Sequence, residues 1–259
     1  LLEKNFATND GIPNLEKVCR ETAARIGQPT RRRQAIISVP EPISGQTNWG
    51  ELNGRALNFN KIEDRLAALE WYLDLALQKW KTLAPQQLDL GGFYWITESV
   101  PHKPDFHQAV AKLIHERGQK FYWIPYWQNR AGKDWRSFGF DVVWQQPNHF
   151  FHPEIPDSRL DDACDFAKQN SMGMEFECDG RMISDSKIFE PRFDAYLNAF
   201  EKNGVKESSS IAYYEGGGAL FQLTKSDRPE MRADYDRIAN FILDRQKIAD
   251  QLFKKAETP

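Results

Sequence analysis

Short apolar runs recur through this chain, and each closes on polar residues. The clearest is Gly91-Gly92-Phe93-Tyr94-Trp95-Ile96-Thr97-Glu98: two glycines, an aromatic and β-branched run, then an acid. Phe121 to Trp127, Asp141 to Asn148, Met172 to Asp179 and Ile211 to Gly217 repeat the design, ending in carboxylates, amides or aromatics. Ala35 to Pro40 adds a sixth such run. Stretches with helical spacing separate them. Strictly alternating strands and helices predict a parallel sheet with right-handed crossovers. The near-continuous apolar character is that of strands buried on both faces. In such folds the site forms at the C-terminal ends of the strands, so function is expected at these endings.

Taken in order, a loop and then a helix occupy residues 1–34, with Asn14 as the N-cap and Gly27 as the stop. Residues 44–60 read as a polar loop from strand to helix on the site face. Ile62 to Trp80 is the strongest helix: Ile62, Leu66, Leu69, Leu73 and Leu77 share a face, and Pro85 ends it. Residues 105–117, 157–170, 188–203 and 229–254 are the other helices, and 130–138 is a short helix or turn. No composition shift divides the chain, so 1–259 is expected to be a single domain. At 259 residues it has the length of one α/β barrel, roughly 250 residues. Six strands are two fewer than a (β/α)8 barrel needs, and the chain opens on a helix. The expected fold is therefore a TIM-barrel type α/β domain, N-terminally incomplete, with two strands upstream of Leu1; a six-stranded open sheet is the alternative.

Composition excludes more than it assigns. The formal net charge is -3, with no basic stripe of the kind that binds nucleic acid. Arg31-Arg32-Arg33 reads as a solvated loop rather than an anion site. Cys19, Cys164 and Cys178 are scattered and form no CxxC pair, which argues against a zinc site or a disulfide framework. No run of 18 or more apolar residues is present, so no membrane-spanning helix is expected. There is no GxGxxG after the first strand, no Walker loop and no Gly-x-Ser-x-Gly elbow. Gly216-Gly217-Gly218 could cradle a phosphate, but a flexible site loop is the better reading.

The acids at the strand ends carry the chemistry. Residues i and i+2 of a strand face the same way, so Glu175 and Glu177 share one side, and Met174, Phe176 and Cys178 the other. Two acids side by side in a barrel interior are costly unless partnered or used. Glu177, nearer the strand end, is the first choice for direct chemistry, with Glu175 orienting it. Glu98 ends a different strand and suits a general acid. Paired carboxylates are what glycoside hydrolysis requires: one protonates the leaving oxygen while the other attacks or activates water. Trp and Tyr at strand ends offer flat faces with a polar edge, which suit sugar rings; Trp95, Tyr126, Trp127, Trp144 and Tyr214 are the candidates. Gln145, Gln146 and Asn148 supply amides that donate and accept, as hydroxyls require. Glu215 is expected to bind hydroxyls rather than to catalyse. Asp141, at the start of its strand, reads as structural. His149 and His152 could form a metal pair, though no further ligand stands at a diagnostic spacing.

These blocks resemble a bacterial domain-of-unknown-function family, numbered 4855, whose members look like glycosidase-type TIM barrels and are frequent in glycan-degrading gut bacteria. The resemblance is carried by Ile37-Ser38-Val39-Pro40-Glu41-Pro42, Gly92-Phe93-Tyr94-Trp95 with Glu98, and Trp123-Ile124-Pro125-Tyr126-Trp127. It continues through Gly139-Phe140-Asp141, Gln146-Pro147-Asn148-His149-Phe150-Phe151, Met174-Glu175-Phe176-Glu177 and Ala212-Tyr213-Tyr214-Glu215-Gly216. It implies a carbohydrate substrate and supplies no catalytic assignment. A looser similarity, to the retaining glycosidases whose glutamates end the fourth and seventh strands, implies Glu98 as acid/base and Glu177 or Glu175 as nucleophile. That clan's usual Asn-Glu pair is absent, since Thr97 precedes Glu98.

The expectation is a glycoside hydrolase acting on an oligo- or polysaccharide by two carboxylates, with no cofactor and no nucleic-acid partner, in the periplasm or outside the cell. The rivals are a non-catalytic carbohydrate-binding barrel, which would tolerate loss of either acid, and a metal-dependent hydrolase using His149 and His152.

Overall fold

The structure is a computed structural model describing residues 1–29, 31–100 and 104–256. The chain falls into two compact units, Leu1–Trp123 with Arg130–Val142, and Ile124–Asn129 with Val143–Pro259.

In the first unit, strands β1 (Arg33–Val39), β4 (Leu88–Trp95) and β5 (Lys120–Trp123) pair in parallel, with β4 central. Phe93, Trp95, Phe121 and Trp123 are fully buried, as parallel strands covered on both faces should be. The glycines of β4 have a geometric cause. The register of β1 against β4 shifts between Ala35 and Ile36, leaving Gly91 as an extra residue, and Gly92 takes a φ of 135°. A Cβ at Gly92 would drive into the backbone carbonyl of Lys120. The pair is thus a β-bulge that only glycine fits.

Helices α1 (Leu2–Asn5) and α2 (Gly11–Ile26) precede the sheet. Asp10, not Asn14, caps α2, accepting from the Gly11 N–H at 2.9 Å. Pro13 sits in the first turn of α2, where its missing N–H is harmless. Glu16 on α2 is buried and accepts from the N–H groups of Gln86 and Gln87 at 2.9–3.0 Å, which ties the helix to the turn before β4.

The loop expected at 44–60 contains a hairpin, β2 (Gly50–Leu52) and β3 (Arg55–Leu57). Its turn is Asn53-Gly54, both at positive φ, the strongest short hairpin signal a sequence carries. Leu57 and Phe59 bury against Ala68 of helix α3 (Ile62–Leu83), with Trp49 packed over them. Buried Asp64 holds this corner. The Asn58 N–H first and the Arg55 guanidinium second keep its carboxyl below the ordinary range.

Helix α4 (Asp105–His115) follows, and a 3-10 turn spans Arg130–Phe138. Asp141 is structural, as its position at a strand start implied: it accepts from the Phe121 N–H at 2.7 Å and pairs with His115 at 2.9 Å.

In the second unit, β6 (Val142–Gln145), β7 (Gly173–Asp179) and β8 (Ile211–Gly216) pair in parallel, with β7 central and buried from Gly173 to Cys178. Phe176 packs among Phe193, Tyr196 and Phe200 of α7 (Ser186–Lys202). α5 (Ser158–Gln169) and α10 (Pro229–Ala256) match the expected helices. The short α6 (Arg181–Ser184), α8 (Val205–Ser208) and α9 (Ala219–Lys225) were not foreseen, being too brief to show a period. Among the described residues no helix is long and apolar enough to cross a membrane.

Candidate functional site

The strand endings of the second unit gather most of the residues the sequence singled out. Glu177 is 0% exposed. One carboxylate oxygen accepts from the Asn148 N–H at 3.2 Å and the other from the His149 N–H at 3.1 Å, and the Tyr196 hydroxyl donates to the second. Burial raises its pKa; the Tyr196 hydroxyl and the N–H groups of His149, Phe150 and Asn148 oppose that rise. Burial, with Glu177 beside it, pushes the Tyr196 hydroxyl well above the usual tyrosine range, so it stays a donor.

The same loop is gripped by its carbonyls. Buried Arg192 donates to the carbonyl of His149 and, at 3.2 Å each, to those of Phe150 and Ile155. One α7 residue and one β7 residue thus fix the loop after β6 from both polarities, and Asn148 is held at a φ of 49°, an uncommon backbone for a non-glycine residue. Glu177, expected from the sequence to do direct chemistry, is found holding this loop. A carboxylate with no exposed surface, spent on backbone N–H groups, positions a loop. Glu175 lies on the same face of β7 and is 4% exposed. Neither Arg192 nor Tyr196 was picked out from the sequence: both lie mid-helix, far along the chain from the loop they hold, and nothing local signals such a contact.

The amides and aromatics are unequal. Gln146 and Asn148 are nearly buried, and the Gln146 N–H reaches the Pro125 carbonyl at 3.4 Å. Trp144 and Trp127 are half-buried, with the Arg159 guanidinium 5.2 Å from the Trp127 ring centre. Tyr126 is exposed. Tyr214 is 48% exposed, with its ring edge-on to Phe151 at 5.5 Å. Glu215 accepts from the Leu220 N–H at 2.7 Å and so closes the first turn of α9, leaving Gly216-Gly217-Gly218 as the turn between them. Arg181 forks onto Asp179 at 2.8–3.0 Å and lies over the Phe189 ring at 4.5 Å.

His149 is buried with Nε2 at 2.9 Å from Asp157, while His152 pairs with Glu154 at 3.3 Å. Burial, then Arg192, pulls His149 down to about 4, partly offset by Asp157. Each histidine faces its own carboxylate, and among the described residues no group of three or more His, Cys, Asp or Glu could hold a metal ion. The Cys178 thiol is pushed up to about 12 by burial, which leaves it inert as a nucleophile.

Two expected site residues belong to the first unit. Trp95 is 0% exposed, set edge-on to Phe106, His107 and Phe121 at 5.0–6.3 Å. Its expected role as a sugar platform is corrected: it points into the layer packed against α4 and has no face to offer. Glu98 lies exposed, three residues past the end of β4, on a segment that also gives the Thr97 carbonyl to the Trp123 indole N–H at 2.9 Å.

The model of the family described as "Domain of unknown function (DUF4855)" matches residues 1–240. The chain belongs to the DUF4855 family. Among solved structures, this DUF4855 chain is similar to a candidate alpha-L-fucosidase from Bacteroides thetaiotaomicron VPI-5482. Identity is 14% and the TM-score 0.45, over 70% of this chain and 62% of that one. It is also similar to a triazine hydrolase variant, at 15% identity and a TM-score of 0.32, over 83% of this chain and 45% of that one. The DUF4855 chain therefore spans less than two thirds of either protein. No curated protein is detectably similar in sequence.

Proposed function

We propose that this protein is a glycoside hydrolase acting on an oligo- or polysaccharide by a two-carboxylate mechanism, with Glu175 as one of the two acids. The observation that carries the reading is Glu175 itself. It is a carboxylate 4% exposed on a central parallel strand, beside a loop that Glu177 and Arg192 hold in a fixed shape. A carboxylate buried at the end of a central parallel strand is a functional-site candidate, and rigid support is what a working group needs. In this reading Glu175 attacks the anomeric carbon or activates water, and a second acid, for which the sequence offers Glu98, gives a proton to the leaving oxygen. Gln146 and Asn148 meet hydroxyls, and Tyr126, Trp127, Trp144 and Tyr214 meet C–H faces. The (β/α)8 architecture and work in the periplasm or outside the cell belong to the same proposal.

The test is a pair of substitutions, Glu175→Gln and Glu98→Gln, assayed on whatever glycan the wild type cleaves. Each is expected to lower kcat by about 10²–10⁴, the scale of one acid–base group, with the fold intact by circular dichroism. Full activity in both variants would sink the two-carboxylate mechanism. A second reading, carbohydrate binding without turnover, draws support from exposed Tyr126 and Tyr214. It predicts glycan binding that survives both substitutions and releases no reducing ends.

A further inference from the structure

Away from the strand ends, the first unit carries an open groove of about 640 Å³ between the β2–β3 hairpin and α3, within the ~300–1,000 Å³ range of small-molecule sites. Asn53 and Arg55 of the hairpin form one wall, and Glu70, Trp71, Asp74 and Gln78 of α3 the other. We propose that this groove is a second saccharide-binding site, taking a short stretch of a neutral glycan across Trp71.

Three observations support it. Trp71 is 42% exposed, yet its ring is held: it meets Trp49 edge-on at 5.8 Å, and Trp49 in turn packs against Phe59 at 5.7 Å. A large aromatic left half in water but braced from behind is a preformed platform rather than loose core filling. Second, the carboxylates around the groove are already paired. Arg117 pairs with Asp74 at 2.7 Å and Glu70 at 3.4 Å, and Arg55 pairs with Asp64. Three carboxylates against two guanidiniums leave no positive field to collect a phosphate, each carboxylate already has a cation beside it, and the charged lining suits no lipid tail. Third, the amides of Asn53 and Gln78 with the rim carboxylates and guanidinium offer donors and acceptors side by side. Hydroxyls need both, and the apolar C–H face of a pyranose needs the flat ring between them.

The inference rests on the glycan reading above, and the test separates the two. Binding of a panel of neutral gluco-, manno-, galacto-, xylo- and fuco-oligosaccharides is measured by calorimetry with wild type and with Glu175→Gln, which is not expected to consume the ligand. The same titrations are run on Trp71→Ala, Gln78→Ala and Tyr214→Ala placed in the Glu175→Gln background. The expected result is that Trp71→Ala and Gln78→Ala each lose a binding event or weaken it about tenfold, about 1.4 kcal/mol. Gln78 is exposed on α3, so its variant reads the groove even if Trp71→Ala folds poorly. If both groove variants bind like their parent while Tyr214→Ala weakens binding, the groove proposal is overturned and the glycan reading stands. If wild type and Glu175→Gln bind nothing on the panel, both are overturned.

Discussion

Glu177 is the residue on which the local structure of the candidate site turns. Its carboxylate takes two backbone N–H groups and a tyrosine hydroxyl in a place closed to bulk solvent. An unsatisfied buried donor costs about 1–3 kcal/mol, so Glu177→Ala is expected to destabilise by about 3–5 kcal/mol, read from urea denaturation. Tyr196→Phe should cost less, since it removes one partner and leaves the backbone donors satisfied. Titratable residues elsewhere set the pH response. His107 is buried among Trp95, Phe106, Phe138 and Phe140, with no hydrogen bond to either ring nitrogen among the described residues, and burial followed by Arg65 pulls it down to about 4. Its folded pKa lies below the unfolded value, so its contribution is present above about 6.5 and is lost as pH falls towards 4. His107→Phe is expected to hold its Tm better than wild type between pH 6.5 and 4. Asp234 shows the opposite sign. Burial, with Glu190 beside it, raises it to about 6 from 3.8, against the pull of Arg237. Its contribution is full below about 3.8 and is lost as pH rises through 6. Asp234→Asn should therefore gain stability over wild type at pH 7.5 and show little gain at pH 4.

At the scale of the element, β4 and the hairpin show how small residues set strand geometry. Gly92→Ala would force a side chain into a φ of 135° and against the Lys120 carbonyl. A loss of roughly 1–3 kcal/mol is expected from backbone strain alone, with the clash added, and it should appear as a lower midpoint in thermal unfolding. If Gly92→Ala matches wild type, the bulge is not needed. The hairpin was missed although Asn53-Gly54 announces it, because the apolar residues beside the turn are few and the strands are three residues long. Tertiary cover supplies what the pattern lacks: Leu57 and Phe59 find Ala68 and Trp49.

Over the whole molecule, the chemistry proposed needs carboxylates and aromatics and no bound metal. Treatment with EDTA is accordingly expected to leave both glycan cleavage and Tm unchanged. Loss of either on chelation, with recovery on adding a divalent ion, would return the metal-dependent reading to the front. The net charge of -3 gives no long-range attraction for an anionic polymer, which agrees with neutral glycans as the substrates to try first.

Sequence alone determined the periodic part of this protein. Among the described residues, the six parallel strands, the six long helices and their order follow from apolar runs and helical spacing, because burial imposes period on sequence. The Glu175–Glu177 face was legible for the same reason. What only the tertiary structure decided is which of these side chains is available. Trp95 and Tyr214 look alike as strand-end aromatics, yet one is sealed under α4 and the other stands in water. Glu175 and Glu177 look alike as alternate strand acids, yet Glu177 is committed to a loop's N–H groups. Availability depends on what chain-distant residues such as Tyr196, Arg192 and Phe106 bring against a site, and such contacts between sequence-remote groups leave no periodic trace in the residues they cover.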